Sequence, residues 1–446
     1  MTGWQSWDPH AEAATQPIPR IDLPAYRPDP SFPPASPAET TMALTPVPVQ
    51  PGHRAERPAE KPAEKPAPAA RPRAAWADVA KGVCILLVVL WHVIMKHYLQ
   101  IKWHIPVPLP GAWGTFGNQL LPLRMPVFFT ISGMFAANAA LRPWSVVRRS
   151  RIAKFYYLYV VWFTVHTLVL SVVPKFDTLA ARNFLDVLEQ LTITPTNLWY
   201  LIALAWYFIF AKLTLRLPVA VVLGAAFLLS AIASAGWLAS PGNRGQLYQN
   251  LLFFLIGLRL KPWVERLAEK ATGRMLLAGA VGYLGIMAVI QVLGAKQWFG
   301  VWPIASGLAV VIGVAAAAQL QRWRRPATLL ANLGQRTLPI YVMHMPLLAL
   351  LHLVLLRPFN ALGTPLQLIL AAFLPIALTA LLVWLCLTLH GGLQRIGASW
   401  LFDLPGSRKP KPPAAGTGAP AAQPAPAIPA PRGWSDEPTR ALPVID

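Results

Sequence analysis

Apolar stretches of membrane-spanning length recur from residue 79 to residue 390, and this recurrence constrains the chain more than any other feature. A hydrocarbon core about 30 Å thick takes about 20 apolar residues to cross as a helix. Runs of that order fall near 79–98, 122–141, 153–173, 197–215, 218–236, 247–260, 275–294, 301–320, 335–356 and 366–390. Backbone N–H and C=O groups in hydrocarbon must be paired within their own segment, so each run predicts a helix. The sixth run is short and is expected to be tilted, re-entrant or extended at one end. The expected fold is all-α, a polytopic membrane bundle of about ten transmembrane helices. Composition agrees: 55% of residues are apolar and 13% charged, against about 25% charged in an ordinary soluble domain.

The net charge of +21 suggests a nucleic-acid partner only until it is located. Residues 76–404 hold 26 Lys/Arg and 7 Asp/Glu, so nearly all the excess lies in the connections between spans. There it sets orientation in the bilayer, and no nucleic acid is expected. The basic residues concentrate in 142–154, 212–216, 259–274 and 322–336, which predicts those connections and both termini to be cytoplasmic. Residues 1–74 and 405–446 are rich in Pro and Ala and poor in aromatics, and they are expected to be disordered cytoplasmic tails flanking a membrane domain at 75–404. Cys84 and Cys386 both fall in apolar runs, so neither a disulfide framework nor a metal site is expected.

The first run, WADVAKGVCILLVVLWHVIMKHY at 76–98, carries a charged entrance, Asp78 and Lys81, and a histidine near its middle, His92. Lys81 and His92 are eleven residues apart, about three helical turns, and so share one face at a separation of roughly 16 Å. Asp78 stands one turn before Lys81, as an ion-pair partner or helix cap. An ionisable group deep in a membrane helix is a functional candidate by default.

Four segments, ADVAKGVCILLVVLWH, RMPVFFTISGMF, NLWYLIALAWY and LGQRTLPIYVMHMPL, occur in an order and spacing that resemble the acyltransferase 3 family, and the Asp-x-x-Lys-Gly opening is most similar to its fucose 4-O-acetylase-like group. The resemblance implies a multi-pass enzyme of the bacterial inner membrane. Such an enzyme takes an acetyl or other short acyl group from cytoplasmic acetyl-CoA, a substrate rather than a resident cofactor. The acceptor would be a hydroxyl of a carbohydrate or glycoconjugate across the bilayer. It also implies that Lys81 is the family's cation, His92 its essential histidine, and Arg148 and Arg151 its Arg-x-x-Arg pair that binds acyl-CoA. Many members carry arginine where this chain has Lys81, which keeps the charge and loses the bidentate fork.

The residues support the same chemistry by a separate route. Acylating a hydroxyl requires a group to take its proton, commonly His, Asp or Glu, and no predicted span contains a carboxylate beyond Asp78 at its mouth. His92, His166, His344, His352 and His390 all lie in or near spans, and the requirement alone does not choose among them. His92 is set apart by its on-face cation. His344 comes next, with Tyr341 one turn away to orient it. Arg148 and Arg151, one turn apart on a helix, are expected to project together toward a phosphate; the plainer role is topological. Ser132, beside Gly133, reads as a close-packing position more than a nucleophile. Trp199, Tyr200 and Trp206 read as an interfacial aromatic belt, with sugar stacking by Trp199 as the alternative.

The outer segments 99–121 and 174–196 are expected to be loops walling an acceptor site, the first stiffened by prolines. Glycines 111, 114 and 117 make no phosphate loop, since no Lys-Ser/Thr follows. The rival function is a secondary transporter or polysaccharide exporter, which is disfavoured by the lack of a midplane carboxylate and of an internal repeat.

Overall fold

The computed structural model describes residues 75–192 and 194–406. The tails expected to be disordered, residues 1–74 and all but the first two of 405–446, lie outside the described residues. Among the described residues the secondary structure is helical with no strand. In chain order come α1 (Ala75–Lys96), α2 (Leu109–Gln119), α3 (Leu121–Ala140), α4 (Trp144–Val147), a π-helical turn (Arg148–Ala153), α5 (Lys154–Val172), α6 (Phe184–Thr192) and α7 (Trp199–Leu213). Then follow α8 (Val219–Ser234), α9 (Arg244–Arg259), α10 (Lys261–Lys270), α11 (Gly273–Val292), α12 (Val301–Leu320), α13 (Arg324–Gln335), α14 (Thr337–Asn360) and α15 (Thr364–Arg395).

Among the described residues seven continuous helical stretches are long and apolar enough to cross a membrane: α1, α2 with α3, α4 through α5, α11, α12, α14 and α15. With the shorter α7, α8 and α9 they occupy the positions of the predicted spans. The 174–196 segment, expected to be a loop, contains the helix α6, and two further boundaries differ from expectation. Residues 99–121 are not simply a loop, because Pro108 and Pro110 start α2 where a missing N–H costs nothing. Pro122 then interrupts the hydrogen-bond ladder, so α2 passes into α3 through a junction at Leu120. The third span begins earlier than expected, at Trp144, and is continuous through the π turn.

Two helix crossings are made backbone to backbone. A Cβ on Gly82 of α1 would overlap the carbonyl oxygen of Leu330 on α13, and a Cβ on Gly334 of α13 would overlap that of Asp78 on α1. The α3/α9 crossing repeats the device, with Gly133 against the Phe254 carbonyl and Gly257 against that of Thr130. Small residues at such crossings let helices approach where hydrocarbon offers no hydrophobic drive to associate. Ser132 is therefore next to a packing glycine, as its neighbourhood in the sequence suggests. By contrast α11 leaves Leu277, Val281, Leu284 and Val292 exposed, an apolar face suited to lipid. After α15 the chain folds back onto α5, where Trp162 Nε1 donates to Leu401 O at 2.7 Å and Lys154 pairs with Asp403 at 2.8 Å.

Candidate active site

Two cavities lie along α1, one toward each of its ends, and Tyr341 lines both. The larger, about 550 Å³, contains His92, Trp91 and Lys96 from α1, Arg124 from α3, Trp199 from α7 and Tyr341 from α14. The smaller, about 300 Å³, contains Lys81, Ser132, Arg151, Lys154, Tyr200 and the other side of Tyr341.

The ring of His92 is held by groups that fix its tautomer. Its Nδ1 lies 2.8 Å from the carbonyl oxygen of Val88, which can only accept, so Nδ1 carries the proton and Nε2 keeps a free lone pair. Buried His344 lies beside it, ring centroids 4.9 Å apart. Its own Nδ1 donates to Tyr341 O at 2.7 Å and is 3.1 Å from Ile340 O. The Nε2 lone pair of His344 therefore faces the Nδ1–H of His92, at 3.3 Å. The other three membrane histidines are engaged elsewhere. His166 donates to Val342 O at 2.8 Å, His352 meets His97 at 3.1 Å between ring nitrogens, and His390 packs on Phe402 at 4.4 Å. Of the five, His92 is the one that lines the large cavity.

Tyr341 is fixed by its hydroxyl. It donates to Asn197 O at 2.9 Å and accepts from the Tyr200 N–H at 3.1 Å, one of the orphan donors in the first turn of α7. Ser132 Oγ donates to Phe128 O at 2.8 Å and lies 3.0 Å from the Tyr200 hydroxyl. Neither histidine nitrogen is its partner, so no serine–histidine pair is formed there. Trp199 tilts against Phe129, and Trp206 is exposed.

At the other cavity Lys81 pairs with Asp78 at 3.1 Å, and Asp78, 2% exposed, also accepts from Gln335 Nε2 at 3.3 Å. The Lys81 ammonium lies 4.9 Å from the Phe135 ring centroid, and Arg151 lies over Phe208 at 5.8 Å. Arg148 is exposed and does not line the cavity. The π turn accounts for this separation. It holds more residues per turn than an α-helix, so side chains three apart no longer share a face.

The acyltransferase domain model of the acyltransferase 3 family matches residues 74–384. The chain belongs to that family. It is also similar to the inner membrane protein YcfT of Escherichia coli (strain K12), 27% identical over 310 residues that cover 65% of this chain and 84% of the relative. No solved structure matches the chain. It is thus a membrane acyltransferase, and both cavities lie within the part that the family model covers.

For this acyltransferase the sequence-derived candidates fall into two groups: His92, His344, Tyr341 and Trp199 around the large cavity, and Lys81, Asp78, Arg151 and Ser132 around the small one. The expected walls are half present. Asp177, Thr178 and Leu179 of the 174–196 segment line the large cavity. The aromatics of 99–121 turn away to α1 and α15, with Trp103 Nε1 donating to Tyr98 O and Trp113 Nε1 to Ala371 O, both at 3.1 Å. Sequence reasoning passed over Arg124, Asn243 and Gln246, which also line this cavity. Arg124 stands within the quoted segment RMPVFFTISGMF, where a lone cation opening an apolar run was the available signal.

Proposed function

We propose that this acyltransferase moves an acetyl or other short acyl group from acyl-CoA, supplied at the cytoplasmic face, to a hydroxyl of a carbohydrate or glycoconjugate at the opposite face of the bacterial inner membrane. The observation that carries the reading is the pair of cavities meeting at Tyr341, one cationic and one containing His92. The cationic cavity lies toward the end of α1 that bears Lys81 and includes Arg151 and Lys154 of the basic segment 142–154, which supports its assignment to the cytoplasmic side. A 300 Å³ space suits a thioester arm, with the nucleotide outside among the exposed Arg148 and Arg149. Trp199 offers a face against which a sugar ring can stack.

In the transfer step His92 Nε2 accepts the proton of the acceptor hydroxyl as its oxygen attacks the thioester carbonyl carbon. The tetrahedral intermediate collapses with cleavage of the C–S bond, and CoA leaves as a thiolate that takes up the proton. His344 holds the Nδ1–H tautomer that keeps Nε2 free. The test is release of CoA thiol from acetyl-CoA by the full chain in nanodiscs, with and without a panel of carbohydrate acceptors, and recovery of acetylated acceptor. Binding of acetyl-CoA followed by acceptor-stimulated release is the expected result; absence of acceptor-stimulated release across the panel, with or without binding, overturns the proposal.

A further inference from the structure

Arg124 is 7% exposed, yet its Nε and Nη1 have no hydrogen-bond partner, and among the described residues no carboxylate pairs with it. Its guanidinium lies over the indole of Trp91 at 4.2 Å, and Trp91 is adjacent in sequence to His92. All three line the large cavity. The remaining charges in that cavity, Lys96 and Asp177, neutralise one another at 2.9 Å. The cavity wall therefore carries one uncompensated buried cation beside the histidine. A buried charge without a partner is strongly unfavourable, and an indole face offsets only part of that cost. A guanidinium can bind an oxyanion through its N–H groups, and two of its three nitrogens have no partner here.

We infer that the acceptor handled in this cavity carries an anionic group, a carboxylate or a phosphate, which Arg124 binds while the reacting hydroxyl lies at His92. The inference rests on the acyl-transfer reading of the same cavity and adds to it the chemical class of the acceptor. Arg124 and His92 face the same cavity from neighbouring walls, α3 and α1, so an anion and a hydroxyl carried on one molecule can meet both. A uronic acid and a phosphorylated sugar both carry the two groups. Glucose, with hydroxyls alone, leaves the guanidinium unpaired.

The experiment titrates the full chain in nanodiscs with glucuronate, glucose 6-phosphate and glucose by calorimetry, and repeats the series on Arg124→Gln and Arg124→Lys. At least one anionic sugar is expected to bind about tenfold or more tighter than glucose. The preference should fall to within about twofold in Arg124→Gln and be partly kept in Arg124→Lys. Which anion binds identifies carboxylate or phosphate. Equal responses to the three sugars in wild type, including none, overturn the inference, and that arm does not depend on a variant folding. A preference that survives in Arg124→Gln overturns it as well, because the anion then binds elsewhere. A guanidinium serving only a transient oxyanion also gives no preference before reaction, and so is rejected or upheld by the same titration. Thiol release from acetyl-CoA, measured on the same preparations, keeps the two proposals separate. Release without anion preference removes only the acceptor class, and anion preference without release removes the acyl-transfer reading and leaves the anion site.

Discussion

The two cavities treat their cations in opposite ways. In the small one the protein supplies the counter-charges itself: Asp78 for Lys81, Asp403 for Lys154, with Arg151 leaning on Phe208. In the large one Lys96 is matched by Asp177, but Arg124 is left with an indole face and no anion. A site whose lysines are paired within the chain and whose arginine, Arg151, is only part-buried can stand empty at little cost and bind a polyanion at its mouth when one arrives. A site with an unmatched buried cation is tuned to a ligand that brings the charge with it. The contrast suggests that donor and acceptor are recognised by different physics, long-range attraction at one end and desolvated pairing at the other.

The sharpest way to test the division is His92→Ala. Transfer should fall by about 100-fold or more, the scale of losing a general base, while acetyl-CoA affinity measured by calorimetry stays within about twofold. A parallel fall in affinity would mean that the cavities do not divide the labour. The next effect belongs to the cationic end. Arg148→Lys with Arg151→Lys keeps every charge and removes bidentate phosphate contacts, so acetyl-CoA should bind several-fold more weakly, with the remaining affinity lowered further by salt. Of the single variants Arg148→Lys should account for more of the loss, since the nucleotide's phosphates are assigned outside the cavity, where Arg148 is exposed.

Lys81 has both a structural and a functional side, and they can be separated. Lys81→Met removes the ammonium 3.1 Å from buried Asp78, so it should lower the thermal midpoint as well as activity. Adding Asp78→Asn should restore the midpoint. If it also restores activity, Lys81 serves only to neutralise Asp78. Lys81→Arg should keep more activity than Lys81→Met. The smallest effect is expected from Tyr341→Phe, which removes the hydroxyl joining Asn197 O and Tyr200 N and should cost about 1–3 kcal/mol of stability by thermal unfolding. Turnover should change only a few-fold, because the ring that separates the cavities remains.

What was legible in the sequence follows from what is local. The spans were legible because helical hydrogen bonding and hydrocarbon thickness act on contiguous residues. Lys81 and His92 were legible as a pair because both lie on one uninterrupted helix. The contacts that define the cavities come from distant segments and were not. The guanidinium of Arg124 meets Trp91 only because α3 crosses α1, and nothing near residue 124 announces that indole. The expectation that Arg148 and Arg151 share a face assumed an α-helix, and a π turn leaves no reliable mark in composition. The 99–121 segment was expected to wall the acceptor site, but its indole N–H groups are taken by carbonyls, that of Ala371 more than 250 residues away from Trp113. The acyl donor, the acceptor and the roles of individual site residues rest on the proposals above.

The glycine contacts between α1 and α13 have a metric consequence. With Gly82 against the Leu330 carbonyl and Gly334 against that of Asp78, no side chain lies between the two backbones to act as a sliding layer. A slip of one residue along α1 would bring Lys81 or Val83 under that carbonyl. The depth of His92 is therefore fixed by covalent geometry, ten residues beyond Gly82, or about 15 Å at 1.5 Å per residue. That is half of a hydrocarbon core about 30 Å thick. The Gly82 crossing thus sets a fixed distance from the Lys81 end of α1 to the His92 ring. On a helix that enters the hydrocarbon at Gly82, the His92 ring lies about midway across it.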